Sequence, residues 1–159
     1  MRFRWSILLL LIANLIAQAP TGKRAPSPQT VVFLCEHGAA KSVIAAAYFN
    51  KLAAERHLNY YAVARGTDPQ AELSESAVAG LRKDGISFPE DKPRQVSDHE
   101  VRNASRVVAF CTVPPRFRKK VGSASYDVPA PKEDYEKSRD AILTHVKKLL
   151  DELEATKTP

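Results

Sequence analysis

The stretch Val31-Val32-Phe33-Leu34-Cys35-Glu36-His37-Gly38-Ala39-Ala40-Lys41-Ser42 constrains this chain more than any other. Its four leading apolar residues, mostly β-branched or aromatic, predict a fully buried strand that ends at the cysteine. A glycine-containing turn follows. Beyond it, Ile44, Ala47, Tyr48 and Leu52 fall on one face of a helix over residues 43–52, with Ser42 at its start. A strand, a tight loop and a helix N-terminus make a concave nest of backbone N–H groups, and the helix dipole adds positive potential, so the loop suits an anion. A cysteine facing both features is favoured as thiolate over thiol. On its residues alone, the stretch is a thiolate nucleophile facing an oxyanion pocket.

The rest of the chain supplies alternating strands and helices. Residues 59–64 predict a second strand, closed by Arg65-Gly66-Thr67. Ser74 or Ser76 caps a helix running through Lys83, with Ala77, Val78 and Leu81 inward and Gly85 just past its end. Ser97-Asp98-His99-Glu100 has the form of a capping box and opens a short helix to Ala104. Residues 106–110 read as a third buried strand, directly followed by Cys111. A long loop with two prolines and the basic cluster Arg116, Arg118, Lys119 and Lys120 then leads to Tyr126-Asp127-Val128-Pro129. The last helix is expected over residues 132–153, with Ile142, Val146, Leu149, Leu150 and Leu153 on one stripe. Such alternation predicts an α/β parallel sheet with its site at the carboxyl ends of the strands.

The amino terminus has the pattern of a signal peptide over residues 1–19. Arg2 and Arg4 precede an apolar run over residues 7–17, and Ala17-Gln18-Ala19 supplies a small-x-small cleavage pattern. The run is shorter than the ~20 residues of a spanning helix. Export to a periplasmic or secreted location is expected, the alternative being an uncleaved N-terminal membrane anchor. Residues 20–28, with three prolines, form a linker, and one domain is expected over residues 29–159. The whole chain of 159 residues carries a net charge of +6. Without residues 1–19, which hold two arginines and no acids, 22 basic residues face 18 acidic ones. The remaining charges are scattered, and no basic run is interleaved with aromatics, so no nucleic-acid partner is expected. Two cysteines are too few for a disulfide framework or a zinc site but enough for one reactive pair.

The loop resembles the phosphate-binding loop of low-molecular-weight protein tyrosine phosphatases and of the thioredoxin-coupled arsenate reductases that share their fold. In that family a cysteine, five residues and Arg-Ser close the first strand; here Cys35, five residues, Lys41 and Ser42 take those places. The likeness extends through Ala64-Arg65-Gly66-Thr67, residues 77–86 and Lys92-Pro93-Arg94-Gln95-Val96, nearly everything after the linker. It implies a three-layer fold whose four-stranded parallel sheet has the order 2-1-3-4, flanked by helices. It also implies a phosphate or arsenate substrate, a phosphotyrosine protein among the candidates, and no cofactor or metal.

The resemblance assigns roles residue by residue. Cys35 is the nucleophile, Lys41 the oxyanion binder in place of arginine, and Ser42 a hydroxyl partner of the thiolate. Glu36, His37, Gly38, Ala39, Ala40, Lys41 and Ser42 together form the substrate-binding loop. A guanidinium grips two oxygens bidentately, whereas an ammonium is a point charge, so Lys41 is not an equivalent replacement. The family's leaving-group acid is an Asp-Pro aspartate. Alignment on Pro131 puts Ala130 in its place, which leaves Asp127 as the nearest substitute or as a plain turn aspartate. Cys111 matches the cysteine that resolves the arseno-adduct in the reductases, with a thiol reductant to follow. The relay's third cysteine is replaced by Arg118. On residues alone Cys111 is equally a small buried hydrophobe. In an oxidising compartment Cys35 and Cys111, on neighbouring strands, would tend to pair. Three readings stand: a cysteine-dependent phosphatase, an arsenate reductase using Cys35 and Cys111, and a non-catalytic oxyanion-binding module.

Overall fold

The computed structural model of the chain describes residues 27–124 and 127–156. The expected leader over residues 1–19 and most of the expected linker lie outside the described residues. Among those described, no helix is long and apolar enough to cross a membrane.

The elements run β1 (Gln29–Cys35), α1 (Lys41–Glu55), β2 (Tyr60–Gly66), α2 (Glu75–Lys83), α3 (Asp98–Asn103), β3 (Arg106–Ala109), a 3-10 turn (Pro115–Phe117), β4 (Val121–Ala124) and α4 (Tyr135–Ala155). The four strands form one parallel sheet in the order β2-β1-β3-β4, as the family resemblance implies. β1 pairs along its whole length with β2, from Gln29 opposite Tyr60 to Cys35 opposite Gly66, and on its other side with β3. Paired on both edges and covered on both faces, it is built from an unbroken apolar run rather than an alternating one. Val31 and Phe33 face a core shared with α1, α2 and α4, whereas Val32 and Leu34 face a second core with Val101 of α3 and Phe117 of the 3-10 turn. The sheet is therefore the middle of three layers.

Several boundaries and one element differ from the sequence expectation: β2 runs on to Gly66, and β3 stops at Ala109. α4 begins at Tyr135 rather than Lys132, because Asp134 accepts a hydrogen bond from the Lys137 amide at 2.9 Å and caps the helix there. The expected loop after Cys111 holds both the 3-10 turn and β4, so the sheet has a fourth strand that local pattern does not show. β4 is four residues long and includes Gly122 and Ser123; only pairing with β3, with a register shift at Val107/Val108, makes it a strand. α1 begins at Lys41 and runs to Glu55. It packs on β1, β2 and α4, so its buried side is wider than one stripe: Ala45, Ala46, Phe49 and Ala53 are buried, while Leu52 is only half-buried. The capping box of α3 is present, with the Glu100 amide donating to Ser97 Oγ at 3.2 Å and the Ser97 amide donating to Glu100 Oε2 at 2.9 Å.

Asp84, at the C-terminus of α2, fastens α1, α2 and α4 together. The Tyr48 and Tyr135 hydroxyls donate to its Oδ2 at 2.6 and 2.8 Å, and the Arg139 guanidinium lies at 3.3 Å. Burial alone would raise the Asp84 carboxyl, but these donors outweigh it and hold it below its ordinary value. The same burial and the hydrogen bond to Asp84 push Tyr48 up to about 12.

Candidate active site

β1 delivers Cys35 to the carboxyl edge of the sheet, where the chain turns through residues 36–40 into α1. Gly38 is the pivot. Its φ of +62° is left-handed, and a Cβ there would stand 2.6 Å from the Gly66 amide nitrogen. The reverse also holds, since a Cβ on Gly66 would stand 2.9 Å from the Gly38 nitrogen and 3.0 Å from the Glu36 oxygen. The loop after Cys35 and the end of β2 thus touch backbone to backbone, with no room for a side chain on either. Gly66 is held from its far side as well. Its amide donates to the Arg94 carbonyl, and its carbonyl accepts from Val96, both at 2.9 Å. The segments that resemble the family at Arg65-Gly66-Thr67 and Arg94-Gln95-Val96 are therefore a backbone clamp on the loop.

This clamp continues along the chain. The amides of Thr67, Asp68, Gln70 and Ser74 donate to the carbonyls of Cys35, Glu36, His37 and Ala39 at 3.1, 2.8, 3.3 and 3.0 Å. In a trans peptide the C=O of one residue and the N–H of the next point in opposite directions. With these carbonyls turned to residues 67–74, the N–H groups of Glu36, His37, Gly38 and Ala40 point the other way, into the concave side of the loop. The N-terminus of α1 lies beneath them, and its first amides lack partners within the helix. The result is an anion cradle of main-chain donors.

The side chains complete it. Cys35 is buried, and its Sγ lies 3.1 Å from Ser42 Oγ. Because α1 starts at Lys41, with Ala40 at the N-cap position, Ser42 is not the helix cap that its residue type suggests. It sits fully buried in the first turn, its hydroxyl spent on the thiol. Lys41 reaches across to the segment before α4, where its Nζ donates to the Val128 carbonyl at 2.5 Å. His37 is exposed, with Nδ1 at 3.3 Å from the Asp68 carbonyl oxygen.

A cleft of about 500 Å³ opens over the cradle. The loop forms its floor through Cys35, Glu36, His37, Ala39, Ala40 and Lys41. Gln70 and Ser74 form one wall, Phe110 and Cys111 a second, and Ala130, Pro131 and Lys132 a third. The structure thus gathers the expected loop residues and Cys111 at one place. It does not bring Asp127 there: that residue is exposed, and its segment reaches the cleft through residues 130–132 and contacts Lys41 through the Val128 carbonyl. Gln70, Ser74, Phe110 and Lys132 are cleft residues that sequence reasoning did not find. Only their position just past strand ends or before a helix could have signalled them.

Burial pushes the Cys111 thiol up, and the neighbouring Cys35 and Glu36 add to the effect, against a Thr67 hydroxyl at 4.0 Å and the charge of Lys41. Cys111 is therefore a resting thiol beside Cys35. Both cysteines are free.

Comparison with known proteins agrees with this geometry. The fold is similar to that of YfkJ from Bacillus subtilis, with 23% identity and a TM-score of 0.71 over 85% of this chain and 100% of that one. It is also similar to the low molecular weight protein tyrosine phosphatase from T. tengcongensis, with 20% identity and a TM-score of 0.68 over 78% of this chain and 99% of that one. A thioredoxin-dependent arsenate reductase from Corynebacterium glutamicum is 19% identical, with a TM-score of 0.65 over 86% of this chain and 67% of that one. No curated protein matches the chain. The model of the low molecular weight phosphotyrosine protein phosphatases, however, matches residues 30–158. With that match running over most of its length, the chain belongs to the low molecular weight phosphotyrosine protein phosphatase family.

Proposed function

We propose that this chain hydrolyses phosphate monoesters through a phosphocysteine on Cys35. The observation that carries the reading is the orientation of the loop: four carbonyls tied outward and Cys35 Sγ at its base, 3.1 Å from Ser42 Oγ. Phosphoryl transfer requires donors aimed at the oxygens on which charge sits, and a preorganised ring of amides supplies them without reorganisation. Cys35 attacks phosphorus as thiolate, the leaving oxygen departs, and water then releases inorganic phosphate. The Ser42 hydroxyl stabilises the thiolate as it leaves. Phe110 and Pro131 offer an apolar wall for an aryl group, which supports phosphotyrosine-like esters as the substrate class.

The test is hydrolysis of p-nitrophenyl phosphate by the full chain, together with alkylation of Cys35 by iodoacetamide. Turnover is expected, and phosphate or arsenate should slow alkylation. A thiol that reacts like any free cysteine, indifferent to both anions, would sink the pocket reading.

Lys41 makes a second expectation. Its Nζ holds the Val128 carbonyl and presents only a point charge to the anion. Lys41→Arg supplies a planar fork for two oxygens, and kcat/KM for p-nitrophenyl phosphate should rise about tenfold, or ~1.4 kcal/mol. An unchanged or lower rate would mean that the loop is fitted to ammonium through its bond to Val128.

Arsenate reduction is a second reading, favoured by one observation: Cys111 lines the same cleft as Cys35. Cys35 would displace hydroxide from arsenate, and Cys111 would then attack Cys35 Sγ, releasing arsenite and leaving a disulfide for an external thiol reductant to open. Arg118, at the place of the relay's third cysteine, is exposed. The leader supports export of the domain to a periplasmic or secreted location, where the same pair would meet an oxidising milieu.

A further inference from the structure

The phosphatase reading leaves one step without a residue, the proton for the departing oxygen. From the loop's geometry we infer that His37 supplies it, acting as general acid and then as general base. The assignment rests on the reading of Cys35 as nucleophile.

Three observations carry it. His37 lines the cleft two residues after Cys35. Its Nδ1 lies 3.3 Å from the Asp68 carbonyl oxygen, which only accepts hydrogen bonds, so Nδ1 carries a proton in both the neutral and the charged ring. The exchangeable proton is therefore the one on Nε2. Asp68 belongs to the segment that clamps the loop carbonyls, its own amide donating to the Glu36 oxygen at 2.8 Å. The ring is thus pinned to the rigid frame that shapes the anion site.

The other ionisable groups of the cleft are less suited. Lys41 holds the Val128 carbonyl, and Lys132 stands exposed on the facing wall. Cys111 is a thiol that burial makes a still weaker acid. Glu36 is exposed at the rim of the loop. Ala130 stands where the family's aspartate would, and Asp127 is not at the cleft. Imidazole is the side chain that exchanges a proton near neutrality. The charges set around it are Glu36 and Lys41 on the loop, Asp68 behind it and Lys132 on the facing wall.

The steps balance. The Cys35 thiolate forms the S–P bond as the P–O bond to the aryl oxygen breaks, and the Nε2 proton passes to that oxygen, leaving an alcohol, phosphocysteine and neutral His37. Water then attacks phosphorus, one of its protons returns to Nε2, and hydrogen phosphate and the thiolate are released.

Leaving-group dependence tests this directly. A poor leaving group such as phenolate needs the proton, whereas 2,4-dinitrophenolate departs without it. In the full chain, His37→Gln should lower kcat/KM for phenyl phosphate by about 10²-fold or more and that for 2,4-dinitrophenyl phosphate by less than about fivefold. The ratio of the two substrates within one protein is independent of how much of a variant is folded. Equal losses on both esters, or no loss on either, would overturn the assignment. So would a selective loss in Asp127→Asn instead, which would put the acid on the facing segment. Wild-type protein inert toward both esters would instead remove the phosphatase reading, and His37's role with it.

Discussion

Cys35→Ser is expected to lower kcat for p-nitrophenyl phosphate by at least ~10³-fold while phosphate still binds the protein. The two halves of this result come from different atoms. Turnover needs a thiolate, and a serine hydroxyl at the same place is a far weaker nucleophile, hydrogen-bonded only to another hydroxyl, Ser42 Oγ. Anion binding needs the amides of Glu36, His37, Gly38 and Ala40, whose direction is set by the carbonyl bonds to residues 67–74 and not by the thiol. Steady-state rates and calorimetric titration with phosphate check the two halves separately. Residual turnover close to wild type would remove Cys35 from the chemistry, and loss of phosphate binding would mean that the thiol itself shapes the cradle. Cys111→Ser in parallel separates the two enzyme readings, because arsenate reduction requires that sulfur and ester hydrolysis does not.

Gly66→Ala should be nearly as damaging, though residue 66 is not in the loop. The added methyl would meet Gly38 N at 2.9 Å and Glu36 O and His37 C at 3.0 Å, all main-chain atoms. It has no flexible neighbour to push aside. The end of β2 is held by β1 and by residues 94–96, so the loop is the part that must move. A displacement approaching 1 Å at the cradle is worth about 10²-fold in rate, because the reacting atoms leave their near-attack geometry. The overpacking itself should cost about 2 kcal/mol of stability. Rates with p-nitrophenyl phosphate and a thermal melt by circular dichroism measure the two effects. If activity survives with an unchanged melting temperature, the backbone contact between Gly38 and Gly66 is not what holds the cradle.

What could be read in advance was what side chains encode. The apolar run of β1, the helix after it, the capping box of Ser97 and Glu100 and the stripe of α4 are patterns of residue type, and each is present in the fold. The loop is legible because its cysteine, lysine and serine stand within an agreement that extends over nearly everything after the linker, and that extent carries the resemblance. What stayed hidden was encoded by the backbone. β4 carries no strand-like pattern and exists because β3 offers it an edge. The clamp over residues 67–74 acts through main-chain amides, which every residue but proline has, so no residue type announces it. The partner of Lys41 is a carbonyl, invisible for the same reason. The hydroxyl bond from Ser42 to the thiol comes from the resemblance, whereas local pattern puts Ser42 at the cap, because nothing local fixes α1's start two residues earlier.

The position of β1 bears on how the two sulfurs can meet. Local opening of a native protein is governed by how many ladder bonds and buried contacts must break together. Cys35 ends a strand whose residues 31–34 pair with both β2 and β3 within cores on both faces, while Cys35 itself pairs with Gly66, so its backbone should open only together with the central strand. Cys111 stands two residues beyond the end of a four-residue strand whose pairing with its outer neighbour carries a register shift. Its backbone lies at the low end of the same opening scale. In any thiol–disulfide exchange between them, Cys111 is the sulfur that travels, and the amide cradle around Cys35 keeps its shape while it does.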